Sequence, residues 1–273
     1  MPIRSVDRNG TIKSAKHLTI VHTYFVSLQK NRMKIALLGY GRMGKAIAAI
    51  ATERGHEVAV TIDNASEWEE RIDQLRLCDL AIDFSTPATA IENIEKCFAL
   101  DLPLVIGTTG WYDHLDEMVE KCRKGNHALF MASNFSIGMN ITFELNRRLA
   151  QLMHSQPSYS ASISETHHIH KLDAPSGTAI SLANDIIERQ DKYRRWALSA
   201  EATTEDTLPI TAIREGEIAG IHEVVWDSDI DTISIRHCAK SRTGLALGAV
   251  LAAEYLLGKK GYYTMRDLLT DNC

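Results

Sequence analysis

A short apolar segment over residues 34–38 runs straight into Gly39-Tyr40-Gly41-Arg42-Met43-Gly44, and a helical pattern follows to about residue 53. Few folds accept that order. In such a turn the first glycine takes a tight conformation, the second lets backbone approach a pyrophosphate, and the third lets the helix lie close on the strand. Gly55 ends the helix and a second apolar segment spans 58–62. Asp63 follows at about the 20-residue distance where an acid accepts hydrogen bonds from the adenosine ribose. A glycine turn alone reads as purely structural. Both strands, the helix and the acid together predict a dinucleotide-binding half-fold.

Further βα units continue the pattern. Apolar segments over 80–84, 104–106 and 128–131 alternate with helical patterns over about 85–100 and 114–123. Strands this uniformly apolar suit a parallel sheet covered on both faces. Ligands in such sheets sit beyond the carboxyl ends of the strands, which places Ser85, Thr86, Gly107, Thr108, Thr109, Ser133 and Asn134 on one rim. The fold expected is α/β: a Rossmann-like parallel sheet over 33–136, then a substrate and oligomerisation domain over 137–242.

In that second part a helix over about 139–153 leads to a strand over 160–166. Three more strand-like segments, 208–214, 222–227 and 232–237, have few helices between them. A mixed or antiparallel sheet is therefore expected, and its flat face, if apolar, would suit an oligomer interface. Residues 246–257 are helical again, and 243–273 is expected to return to the first domain.

The chemistry concentrates in Ser164 to Ala179. These residues carry three imidazoles, one ammonium and two carboxylates, then Pro175-Ser176-Gly177-Thr178 at the start of a helix. Ser176 is the expected N-cap, and the exposed N–H groups near Gly177 and Thr178 carry the positive end of the helix dipole. With Lys171 beside them they suit a carboxylate, while His167, His168 and His170 move protons near neutral pH. The same string also reads as a solvated turn with a capped helix. A zinc reading draws on His167, His168, His170, His237 and Cys238, but adjacent histidines make a poor tetrahedral set and Lys171 repels a cation. No metal is expected.

A formal charge of -5 gives no nucleic-acid footprint. The five cysteines show no CxxC spacing, which fits reduced thiols and a cytoplasmic location. No apolar run reaches the roughly 20 residues of a spanning helix. Residues 1–32 are basic and lie before the first strand; they are expected to be an extension, a candidate for disorder, with no clean signal-peptide core.

The strings Asp83-Phe84-Ser85, Val105-Ile106-Gly107-Thr108-Thr109-Gly110 and Ala132-Ser133-Asn134-Phe135-Ser136 add to the glycine turn. With Glu165 through Ala179, Gly216 through His222 and His237 through Gly248, they resemble the 4-hydroxy-tetrahydrodipicolinate reductase family from residue 33 almost to the C-terminus. The resemblance implies reduction of a cyclic imine dicarboxylate by NADH or NADPH in lysine and diaminopimelate synthesis, by a homotetramer. It implies His167 as proton donor or acceptor and Lys171 as proton donor. It implies substrate contacts at His168, Gly177 and Thr178, with Ser176 beside them. Cofactor contacts are implied at Gly39, Tyr40, Gly41, Arg42, Met43, Gly44, Asp63, Gly107, Thr108, Thr109, Ala132, Ser133, Asn134 and Phe135. Many members carry a longer glycine turn and an arginine after the acid, where this chain has Asn64. Asp63 without that arginine repels a 2′-phosphate, so NADH is favoured, with Arg42 the remaining cation for NADPH. The short stretch after Asp63 is expected to leave the adenine side open. The alternatives are another Rossmann dehydrogenase for an acidic substrate, an NAD(H) sensor without turnover and a zinc hydrolase.

Overall fold

The computed structural model describes residues 32–241 and 243–271. The extension expected over 1–32 therefore lies outside the described residues, apart from Arg32.

In chain order the first part contains β1 (Lys34–Leu38), α1 (Arg42–Glu53), β2 (Glu57–Ile62), α2 (Ala65–Glu70), α3 (Ile72–Leu75), β3 (Leu80–Asp83) and α4 (Pro87–Ala99). It continues through β4 (Leu104–Ile106), α5 (Leu115–Lys124) and β5 (Ala128–Met131). The second part holds α6 (Ile137–Met153), β6 (Ser160–His167), α7 (Gly177–Ile187), β7 (Arg195–Leu198), β8 (Thr207–Arg214), β9 (Ile221–Asp227) and β10 (Thr232–Cys238). The chain closes with α8 (Thr243–Leu256), β11 (Gly261–Tyr263) and α9 (Met265–Thr270).

Six strands form one parallel sheet in the order β11-β5-β4-β3-β1-β2. Adjacent residues of one strand serve opposite cores. Ile35 and Leu37 face α1, α8 and α9, whereas Ala36 and Leu38 face the layer of α2 to α5. Burial on both faces is why these strands read as continuous apolar runs. The other five strands form a mixed sheet, β10-β9-β6-β8-β7. In it β8 runs parallel to β6 and β7, and β9 runs antiparallel to β6 and β10. Among the described residues only one face is covered, with Ala161, Ile163, Leu208, Ile210, Val224 and Trp226 packing beneath α6 and α7. The α/β expectation with a mixed second sheet is borne out.

The structure adds elements that the sequence pattern did not show. β7 is four residues and β11 three, the latter opening on Gly261 at a φ of +111°, too short for any alternation to register. α2 fills part of the short stretch after Asp63, with Trp68 buried; Asn64 caps it by accepting from Glu67 N at 3.2 Å. The uncovered face of the second sheet is also not apolar: Ser160, Ser162, Ser164 and Thr166 of β6 alternate with its buried residues.

Candidate active site

The glycine turn sits at the carboxyl end of β1. Gly39 adopts a φ of +87°, and a Cβ there would lie 2.5 Å from the carbonyl oxygen of Phe84. At Gly44 a Cβ would come within 2.2 Å of the Gly39 carbonyl oxygen, so helix and turn can touch only through glycine. Gly41 faces open space, while Arg42 and Met43 begin α1. Asp63, at the end of β2, accepts from the Tyr40 backbone N–H at 2.5 Å and so braces the turn. An open backbone cradle at a helix start, flanked by an acid on the next strand, fits a dinucleotide.

The other predicted rim residues also stand at strand ends. Gly107, Thr108 and Thr109 follow β4; Ala132, Ser133, Asn134 and Phe135 follow β5. Two of them turn inward. The Thr108 hydroxyl donates to Asp83 Oδ1 at 2.7 Å, and the Phe135 ring is buried against Phe84 and Phe130. Asp83 was not anticipated. Fully buried, it accepts from the Ser85 N–H and hydroxyl at 2.8 and 2.7 Å and from Asn93 Nδ2 at 2.8 Å, binding the loops after β3 and β4 together.

Beside this rim, His167, His168, Lys171, Thr178 and Asn134 line a cavity of about 230 Å³. Asn134 joins the two halves: its Nδ2 donates to Thr178 Oγ1 at 3.5 Å. Lys171 Nζ donates to both oxygens of Asp173, at 2.7 and 2.9 Å. Ser176 caps α7 as expected, accepting from Ala179 N at 3.3 Å. Its hydroxyl is buried and shared with His222 Nε2 at 3.1 Å, so it supports the cavity wall without facing the cavity. Gly177 begins α7 with open space around its Cα.

The walls of this cavity come from the covered face of the second sheet, where the apolar pattern gives way to polar residues. Alternation puts Glu165 and His167 on the same face as Ala161 and Ile163. His222 stands directly opposite Glu165 across β9, His237 opposite His222 across β10, and Arg214 opposite His167 across β8. Glu165, Arg214 and His222 were missed, and His237 was weighed only as a zinc ligand. For Glu165 the signal was available: two residues apart on one strand means side by side with His167 on one face.

Glu165 bonds to Nδ1 of His167, and its Oε1 accepts from Arg214 Nη2 at 2.9 Å. Burial alone would push its carboxyl up, but the bonds from His167 and Arg214 outweigh this and hold it below the usual carboxylate range. An ionised carboxylate only accepts, so the proton lies on Nδ1, and Nε2 of His167 turns towards Gly220. Burial, and then the neighbouring His167, push His222 down to about 4. Burial lowers His237 as well. Among the described residues, the side chains that gather with metal-ligand atoms within 4.8 Å are Glu165, His167 and His222, not the adjacent loop histidines.

A larger cavity of about 630 Å³ opens between β5, α6, α7 and α9 and shares Asn134 with the first. Its charges are paired, Arg147 with Glu144 at 2.5 Å and with Asp185 at 3.1 Å. Among the described residues its wall holds no histidine or lysine, whereas the smaller cavity has His167, His168, His222, His237 and Lys171. Among the described residues no helix is long and apolar enough to cross a membrane.

Comparison with known proteins places this architecture. Residues 33–135 match the family described as dihydrodipicolinate reductase, N-terminus, and residues 138–269 match its C-terminus. The 4-hydroxy-tetrahydrodipicolinate reductase of Christiangramia forsetii is 48% identical over 239 residues, 88% of this chain and 98% of that protein. The reductase of the same name from Staphylococcus aureus is 34% identical over 247 residues, 86% of this chain and all of its own length. A dipicolinate-bound dihydrodipicolinate reductase from Paenisporosarcina sp. TG-14 superposes with a TM-score of 0.69, covering 86% of this chain and 98% of its own; at 20% identity that likeness speaks for the fold. Matches running from the glycine turn through the histidine string to the last helix lead to one placement: the chain belongs to the dihydrodipicolinate reductase family.

Proposed function

We propose that the protein is an NAD(P)H-dependent 4-hydroxy-tetrahydrodipicolinate reductase, converting (2S,4S)-4-hydroxy-2,3,4,5-tetrahydrodipicolinate to 2,3,4,5-tetrahydrodipicolinate in lysine synthesis through diaminopimelate. The observation that carries this reading is the meeting of Asn134, on the dinucleotide rim, with Thr178, His167 and Lys171 around one cavity. The cofactor supplies a hydride; the reaction also takes up one proton and releases the 4-hydroxyl as water. His167 and Lys171 are the groups that hold and move protons. His168 and the α7 N-terminus at Gly177 and Thr178 receive the substrate carboxylates.

The first domain, 33–136 with 243–273, holds the cofactor, and 137–242 holds the substrate. Gly39 to Gly44, Gly107 to Thr109 and Ala132 to Phe135 are its cofactor contacts, Phe135 through its backbone. Asp63 and the absence of an arginine at position 64 favour NADH. The protein works in the cytoplasm, a reading supported by unpaired Cys78, Cys97, Cys122 and Cys238. It works as a homotetramer, a reading supported by an uncovered five-stranded sheet.

The test is loss of reduced-nicotinamide absorbance, with NADH and NADPH in parallel and substrate made in place from pyruvate and aspartate semialdehyde. Oxidation that needs the condensation product, faster with NADH, is expected. Folded protein that binds NADH and oxidises neither cofactor would overturn the reading in favour of a sensor or another substrate.

A further inference from the structure

One carboxylate ties together three parts of the second domain that stand at the substrate cavity: His167, the start of α7 and Arg214. Glu165 is 1% exposed and sits at the last inward-facing pair of β6. One of its oxygens, Oε2, meets His167 Nδ1. The other, Oε1, accepts from the Ser176 backbone N–H at 3.2 Å, where α7 begins, and from Arg214 Nη2 at 2.9 Å. Arg214 carries the connection onward, donating from Nη2 to the Asp173 carbonyl at 2.6 Å and from Nε to the Lys171 carbonyl at 3.3 Å. Imidazole, lysine loop and helix start thus share one anchor.

We propose that Glu165 is the positioning residue of this site: it fixes which nitrogen His167 turns to the substrate and ties His167, the Lys171 loop and the start of α7 to one point. This rests on the proposed role of His167 in proton transfer. A carboxylate that accepts from Nδ1 leaves Nε2 as the ring's working atom, and its charge supports the imidazolium once Nε2 has taken a proton. The cluster is closed on its other sides. His222 approaches the His167 ring edge-on from β9, centroids 5.0 Å apart, and Arg214 comes from β8. Lys171 and His168 belong to the loop after β6, and His237 of β10 lines the same cavity. Glu165 is the acid in this set; Asp173 nearby is engaged by Lys171.

Glu165→Gln is the decisive variant. The amide keeps the shape and can still accept from Arg214 and Ser176, but it loses the charge and offers an N–H to Nδ1. The imidazole must then carry its proton on Nε2, the wrong nitrogen. Replacing a carboxylate by an amide beside a working imidazole costs on the order of 10²- to 10⁴-fold in turnover in systems built this way. We expect kcat to fall by at least about 10²-fold, NADH affinity to stay within about twofold, and the pH–rate profile of the His167–Glu165 pair to move. Glu165→Asp, which keeps the charge, should recover part of the rate. Arg214→Gln separates positioning from general loosening, since it leaves the Glu165–His167 bond in place. That variant should raise KM for the dicarboxylate and, because Arg214 also helps hold Glu165 ionised, move the pH profile less than Glu165→Gln does; it can be read even if Glu165→Gln does not fold. The inference falls if Glu165→Gln keeps wild-type kcat and profile while His167→Gln is inactive. It also falls if Arg214→Gln lowers kcat and moves the profile as far as Glu165→Gln does. Full turnover in His167→Gln would overturn the proposed role of His167 and this inference with it.

Discussion

His222 alone should make the protein about 2 kcal/mol less stable at about pH 5 than at about pH 8. The ring is 5% exposed, and burial, followed by the neighbouring His167, holds it at about 4 against an ordinary 6.5. Between those two values the unfolded chain binds the proton and the folded chain refuses it. Stability from this site is therefore complete above about 6.5 and is lost as pH falls towards 4. At about pH 5 the unfolded ring is roughly 97% charged and the folded ring about 10%, a ratio of proton-binding terms near 30, and RT ln 30 is about 2 kcal/mol. For a chain of this size that corresponds to about 4–8 °C in Tm. Glu165 does not blur the window, because its depressed pKa makes its own contribution vanish only at more acid pH. The assay is calorimetric melting of wild type and His222→Gln across this range at fixed protein concentration, since assembly also shifts Tm. The variant loses the Ser176 contact, a pH-independent cost of about 1 kcal/mol, so the quantity to compare is the slope. A wild-type curve that falls more steeply supports the reasoning; parallel curves refute it.

Lys171→Ala should lower kcat by about 10²-fold or more and leave NADH binding intact, measured by steady-state kinetics and cofactor titration; unchanged turnover would remove Lys171 from proton transfer. Gly44→Ala should abolish NADH binding in titration while leaving the second sheet folded by circular dichroism. The added Cβ, 2.2 Å from the Gly39 carbonyl oxygen, has to push the turn and α1 apart.

How legible each part was in the sequence follows from period and length. Five of the six strands of the first sheet, all but β11, could be read because each is a largely apolar run closed by a glycine or polar turn, a pattern with few competing explanations. The His167 to Thr178 string could be read because its residue types are chemically scarce. Arg214 and His222 stayed hidden for a different reason. Arg214 is the last inward residue of β8 and His222 the first of β9, the other inward positions being apolar, and only register shows that they meet Glu165 and His167. Register is set by pairing, which a single strand does not encode. Asp83 was hidden in the same way: it ends an apolar strand, and its partners Asn93 and Thr108 come from the following helix and the next strand's loop. The polar uncovered face of the second sheet contradicts a simple apolar interface, because serine and threonine fit a pleated surface as well as valine does once both faces of a strand are considered.

The two buried acids perform one task at different scales. Asp83 is satisfied by hydroxyls, an amide and a backbone N–H, so it fixes two loops through neutral donors alone. Glu165 is held by a guanidinium and an imidazole, so its own negative charge is answered beside a cavity meant for a dicarboxylate. Without the guanidinium, Glu165 would stand beside the cavity as a less fully answered carboxylate, repelling a dicarboxylate. Burying an acid is expensive unless it is fully bonded, and both acids are, Asp83 by neutral donors and Glu165 with a guanidinium and an imidazole among its partners. Asn134, a neutral amide that reaches Thr178 across the junction, sits between these two electrostatic regimes and can join them without favouring either.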